Sequence, residues 1–147
     1  MFDKDFKEFL ELLNSEGVEY LVVGGYAVAV HGYPRYTGDL DAWIAVSEDN
    51  ALKVSNVMKK FGFGALGLDQ ATFLKKDQIV QLGYPPCRID ILTHIDGVSF
   101  GDCFKRKKLV DVEGLEIPFI CLEDLKANKK ASARSQDLAD LEHLGGE

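Results

Sequence analysis

Cysteine is scarce in this chain. Cys87, Cys103 and Cys121 are odd in number and widely spaced, so they make neither a disulfide framework nor a zinc site. A reducing cytoplasm is the expected compartment, and each thiol is expected as a small core or strand residue. Long apolar runs are missing too: none approaches the ~20 residues that a membrane-spanning helix needs. The opening MFDKDFKEF is charged and amphipathic and lacks the layout of a secretory leader. No repeat, linker or low-complexity segment interrupts the chain. Positive charge is in deficit, with 17 Lys and Arg against 24 Asp and Glu and a net charge of −7. That balance argues against a dedicated nucleic-acid binder. It is uneven, however: residues 105 to 134 hold eight Lys or Arg against five Asp or Glu. This zone either meets a triphosphate or an RNA end, or is simply a solvated face.

What is present is an ordinary globular composition. Hydrophobic residues are 46% and charged residues 28% of 147, which suits one domain, residues 1–147, with a sizeable core. Phe2, Phe6, Phe9, Leu10 and Leu13 recur at helical spacing, so residues 2–16 are expected as an amphipathic helix that Gly17 ends. Ser47 is an expected N-cap for a helix that carries Leu52, Val54, Val57, Met58 and Phe61 and closes at Gly62. Residues 64–68 read as a loop. Three strands are expected at Ala71–Leu74, Ile79–Leu82 and Arg88–Leu92, with turns at Lys76-Asp77 and Pro85-Pro86. Ser99–Lys107 reads as a helical turn or two. Leu109–Val112 and Leu115–Ile120 read as a hairpin around Glu113-Gly114. Leu122–Ala131 and Ser135–Leu144 read as a closing pair of helices, the second capped by Ser135.

Residues 20–46, YLVVGGYAVAVHGYPRYTGDLDAWIAV, concentrate the chemistry. Tyr20–Val23 is an apolar, β-branched run and reads as a buried strand. Gly24 and Gly25 break it, and Ala27–Val30 continue into one or two helical turns that Gly32 and Pro34 end. Two glycines between a strand and a helix let a bulky anion approach the backbone, where the first helical N–H groups meet it. Leu40–Val46 reads as a second strand. Side chains at i and i+2 of a strand share a face, so Asp39 and Asp41 stand together while Leu40 points to the core. Two like charges there repel unless a cation sits between them. Oxygen-only ligation suits Mg²⁺ carrying a phosphate substrate. The pattern reads as a site for a metal–nucleoside triphosphate.

The stretch GG-(x)13-D-L-D resembles the signature of the nucleotidyltransferase superfamily related to DNA polymerase β. The fuller GGYAVAVHGYPRYTGDLD looks like the bacterial branch of AbiEii-type toxins and small uncharacterised nucleotidyltransferases. The resemblance covers most of the chain. It implies an α/β (α+β) nucleotidyltransferase fold, a mixed β-sheet flanked by helices with a C-terminal helix pair. It implies transfer of a nucleoside monophosphate from a nucleoside triphosphate (NTP) to an acceptor, with release of pyrophosphate. Asp39 and Asp41 would ligate two Mg²⁺ ions, Mn²⁺ being the alternative, and a third carboxylate, Asp90 of the CRIDIL strand, would help at the catalytic one.

Gly24 and Gly25 would hold the triphosphate. Arg35 and Thr37 match R-x-T positions: Arg35 would hold phosphate with its fork of donors, and Thr37 would steady the loop. In LEDLKANKKASARSQDLADLEHL, which looks like the family's closing helices, Lys129, Arg134 and Asp137 would sit near the active site. His31 reads as a packed, hydrogen-bonded histidine under the loop, and Trp43 as core. The acceptor would be an RNA end such as tRNA, a protein or a small molecule. A homodimer or an antitoxin partner is compatible with the resemblance, and no membrane partner is expected. The competing class is a degenerate domain that binds nucleotide or a partner without chemistry, and a third reading is the toxin of a toxin–antitoxin pair, modifying the tRNA acceptor end.

Overall fold

The computed structural model describes residues 2–34, 37–62, 67–84 and 87–145. Helix α1, Lys4–Ser15, begins where Asp3 Oδ1 accepts the Phe6 N–H at 3.0 Å. Its apolar stripe, Phe6, Phe9, Leu10 and Leu13, is fully buried, as the helical spacing predicts. Strand β1, Tyr20–Val23, is buried along its whole length and runs straight into α2, Gly24–Val30. The glycines therefore open the helix rather than precede it. Gly24 at φ +68° makes the turn from strand to helix, a conformation that costs other residues a Cβ clash. Strand β2 is Asp39–Ile44, two residues short of the expected end, and α3 is Glu48–Lys60, capped by Ser47 Oγ.

Ala71–Leu74 is not a strand. Thr72–Leu74 form a 3₁₀ turn, because Thr72, Phe73 and Leu74 each donate back three residues and Asp69 Oδ1 also accepts from the Thr72 N–H. Only Phe73 is buried there, and one anchor in a short run leaves local hydrogen bonds to decide the shape. Strands β3, Ile79–Leu82, and β4, Arg88–Leu92, are as expected. The proposed Pro85-Pro86 turn lies outside the described residues. Helix α4, Phe100–Lys105, precedes the hairpin of β5, Lys108–Val112, and β6, Leu115–Phe119. Helices α5, Leu122–Ser132, and α6, Ser135–His143, close the chain. The cap of α6 is Arg134, not Ser135: Asp137 accepts the Arg134 backbone N–H at 3.3 Å.

The six strands form one mixed sheet in the order β3-β4-β2-β1-β6-β5. β2 runs parallel to β4 and antiparallel to β1, and β1 runs parallel to β6. Leu40, Ala42, Ile89 and Ile91 share the apolar face and are buried. Asn50 at the start of α3 ties the far ends of β1 and β2 together. Its amide donates to the Glu19 and Ala45 carbonyls, and its oxygen accepts the Glu19 N–H at 2.7 Å. Trp43 is core, packed edge-on against Phe100, and its buried Nε1 has no hydrogen-bond partner among the described residues. Cys103 is buried, but Cys87 is exposed, against the expectation of a packed residue; all three thiols are free. No helix among the described residues is long and apolar enough to cross a membrane.

Candidate active site

The parallel pairing of β2 with β4 sets Asp41 opposite Asp90 and Asp39 opposite Arg88. Residues paired in register share a face, so three carboxylates and one guanidinium meet at the same end of the sheet. Arg88 binds the carboxylates together. Its Nε donates to Asp90 Oδ1 at 2.9 Å, and its Nη2 reaches both Asp90 Oδ2 at 3.1 Å and Asp39 Oδ2 at 2.8 Å. Asp41 lies deeper. Burial, then the Asp90 charge and a hydrogen bond to Asp90, raise its pKa well above the ordinary carboxylate range, against a lowering pull from Lys129.

Gly24 explains why Asp41 fits. A Cβ at residue 24 would stand 2.0 Å from Asp41 Oδ2, well inside contact distance. The glycine is therefore demanded twice, by its positive φ and by the carboxylate that occupies the space a side chain would fill.

A second charged node sits where α5 turns into α6. Lys129 Nζ donates to Asp137 Oδ1 at 3.0 Å and lies 3.2 Å from Asp140 Oδ2. The three side chains are 6%, 2% and 0% exposed. Asp137 also accepts from Ser132 Oγ at 2.9 Å and Arg134 Nε at 2.8 Å, and Gln136 serves Asp140 at 2.8 Å. Burial alone would raise the Asp137 pKa. The donors Arg134, Lys129 and Ser132 outweigh it and hold the carboxyl well below its usual range. The corner itself is tight: Ala133 is left-handed, at φ +51°. Arg134, by contrast, is 79% exposed.

Between the sheet and α5 opens a cavity of about 620 Å³. Gly24, Asp39, Asp41, Arg88 and Asp90 line one side, and Lys129, Ser132 and Arg134 another. Its rim carries Asp77, His94 and Asp96, with His94 Nδ1 3.6 Å from Asp77 and Nε2 3.4 Å from Asp96. The sequence-expected residues thus divide. Gly24, Asp39, Asp41, Asp90, Lys129 and Arg134 meet at one cavity, with Asp137 directly behind Lys129 and Arg134. Gly25 is buried within α2 and does not line the cavity, so only the first glycine of the pair faces it. Thr37 does not line it either; its hydroxyl donates to the Asp39 carbonyl at 3.4 Å, at the entry to β2. Arg35 lies outside the described residues. His31 Nε2 is 2.7 Å from the Ile120 carbonyl, a packed role as expected.

Arg88, Ser132 and Asp140 are not among the site residues that the sequence suggests. Arg88 stands two residues before Asp90 on the same strand, and strand parity alone puts it on the face of Asp90.

The donor set suits a hard divalent cation: Asp41 and Asp90 in register with Asp39 on the same face, and a glycine where any Cβ would displace Asp41. As the side chains stand, no group of three His, Cys, Asp or Glu among the described residues is arranged to hold a metal. Arg88 occupies the oxygens of Asp39 and Asp90 that would ligate one.

The chain is similar in structure to a Thermotoga maritima protein described as a "putative nucleotidyltransferase". The TM-score is 0.58 at 19% identity, over 95% of this chain and 87% of the other. No family model and no curated protein matches the sequence. The likeness shows the fold: a nucleotidyltransferase-like mixed sheet flanked by helices.

Proposed function

We propose that this chain is a metal-dependent nucleotidyltransferase, moving a nucleoside monophosphate from a nucleoside triphosphate to a hydroxyl-bearing acceptor. The observation that carries this reading is the pairing of Asp41 with Asp90 in register, with Asp39 on the same face beside a cavity that also presents Lys129 and Arg134. The fold likeness and the GG-(x)13-DLD spacing support the class of enzyme, and the fuller string GGYAVAVHGYPRYTGDLD supports the AbiEii-like branch. Asp39, Asp41 and Asp90 would hold Mg²⁺ or Mn²⁺. Such ions, when bound, supply neutralisation of the phosphate charge and lower the pKa of a ligated hydroxyl.

The acceptor oxygen forms a bond to the α-phosphorus, the bond from that phosphorus to the bridging oxygen breaks, and pyrophosphate leaves. Asp90 takes the hydroxyl proton as the new bond forms. Arg134, exposed at the cavity wall, has the freedom to meet phosphate oxygens with its planar fork. Lys129, locked on two buried carboxylates, contributes its field from a fixed place.

One observation favours a second reading, a domain that binds nucleotide or a partner without chemistry: Arg88 is already paired with two of the three carboxylates. Asp90→Asn separates the readings. It keeps size and most hydrogen bonding and removes the charge. The experiment measures triphosphate affinity by calorimetry and transfer of label to RNA, protein and small-molecule acceptors in a cell extract. For a transferase, affinity stays near normal and transfer falls on the order of 10²–10⁴-fold. Wild-type protein that binds triphosphate and labels no acceptor would favour the binding domain. Robust transfer by Asp90→Asn would remove Asp90 from the role of base.

A further inference from the structure

We propose that Arg88 is the resident cation of the carboxylate cluster, and that a divalent metal enters by displacing it. The inference rests on the reading of Asp39, Asp41 and Asp90 as a metal site. Arg88 uses two nitrogens to make three short contacts, two to Asp90 and one to Asp39. A metal held by the cluster would need oxygens of Asp39 and Asp90, and the guanidinium charge already on them opposes a second cation at the same place.

Among the described Lys and Arg side chains lining the cavity, Arg88, Lys129 and Arg134, Arg88 is the one that both binds the cluster and can leave it. Lys129 is 6% exposed and anchored to Asp137 and Asp140, both buried. Arg88 is the first residue of β4, its side chain is 27% exposed, and it lines the cavity. Its guanidinium can therefore turn into the cavity without unpacking the core.

The exchange has two consequences. Without metal, Arg88 relieves the mutual repulsion of Asp39 and Asp90, diagonal neighbours on adjacent strands. Metal alone has to compete with an ion pair already in place, so it binds weakly. Metal together with a triphosphate binds better, because the released guanidinium finds phosphate oxygens in the same cavity. Arg88 thus makes the site respond to the metal–nucleotide pair rather than to the free ion.

The test is Mn²⁺ titration at pH 8, read by electron paramagnetic resonance, for wild type and Arg88→Met. The variant keeps the apolar stem and removes the charge. It should bind Mn²⁺ alone about tenfold or more tighter, the weight of a charge-assisted hydrogen bond, and lose most of the extra Mn²⁺ affinity that a non-hydrolysable triphosphate gives the wild type. Equal or weaker Mn²⁺ binding by Arg88→Met would overturn the inference while leaving the transferase reading intact, since Arg88 would then be holding the ligands in place for the metal. Absence of Mn²⁺ binding in both proteins, with and without triphosphate, would overturn the metal-site reading and this inference with it. A measurement on the wild type alone covers a variant that fails to fold. The Arg88 Nε–H resonance should shift on adding Mg²⁺ with the triphosphate analogue and not with either alone. A resonance unmoved by both together overturns the inference.

Discussion

Replacing Lys129 by Met is expected to unfold this protein at a markedly lower temperature. Removing one partner of a buried ion pair costs about 3–5 kcal/mol, because the other charge is left buried and uncompensated. Two features of the node place this case at the low end. Asp137 keeps Ser132 and Arg134, and Asp140 keeps Gln136. Arg134 is 79% exposed, so its own pairing is screened and replaces only part of what is lost. A cost of about 3 kcal/mol is a large share of the ~5–15 kcal/mol that holds a domain together. For a chain of this size it corresponds to roughly 6–12 °C in Tm. Thermal unfolding followed by circular dichroism measures it.

The pH dependence checks the cause. The Asp137 pKa is lowered in the folded protein, so its contribution to stability is present above the unfolded carboxylate value of about 4 and is lost as the pH falls through the folded value. Without Lys129 that lowering weakens, and Asp137 takes up its proton at higher pH. The gap in Tm between wild type and Lys129→Met should therefore be widest near neutrality and narrow as the pH drops into the acid range. A loss below about 2 °C at neutral pH, or a gap that stays flat down to about pH 3, would show that Lys129 acts as a solvated charge and refute the reasoning.

Two further outcomes follow from the site. Gly24→Ala should lower Tm, with about 1–2 kcal/mol from the left-handed backbone alone. It should also weaken nucleotide binding with every carboxylate still in place, because a Cβ 2.0 Å from Asp41 Oδ2 pushes that oxygen away; calorimetry showing unchanged triphosphate affinity would contradict the close approach. Mg²⁺ with triphosphate at about 100-fold over its Kd should stabilise the wild type by roughly 2.7 kcal/mol, and each component alone by less. Asp39→Asn with Asp41→Asn should abolish that thermal shift; a shift that survives the double substitution would move the site elsewhere.

The signals that sequence carries well are local ones. Helical spacing in α1 and α3, the apolar run of β1 and the strand parity of Asp39 and Asp41 each depend on residues a few positions apart. The polypeptide's own periodicity enforces them. Asp90 was legible only through its resemblance to a family pattern, and its partner Arg88 only in principle, from parity. The Ala71–Leu74 expectation failed because four residues with one buried anchor carry too little pattern to outweigh hydrogen bonds back to Asp69 and Gln70.

Tertiary structure decided the rest. The register that sets Asp41 against Asp90 joins residues 49 apart in the chain. No local preference specifies it; the burial of Leu40, Ala42, Ile89 and Ile91 on the opposite face does, since a one-residue slip would turn them outward. The same assembly brings Gly24 against Asp41 and threads Arg88 between Asp39 and Asp90. Folding of α6 back on α5 likewise sinks Lys129 between two carboxylates. The chain by itself determined which faces carry charge. Close packing of the sheet and helices decided which of those charges meet, because ion pairs form only where packing has removed water and left no other partner within reach.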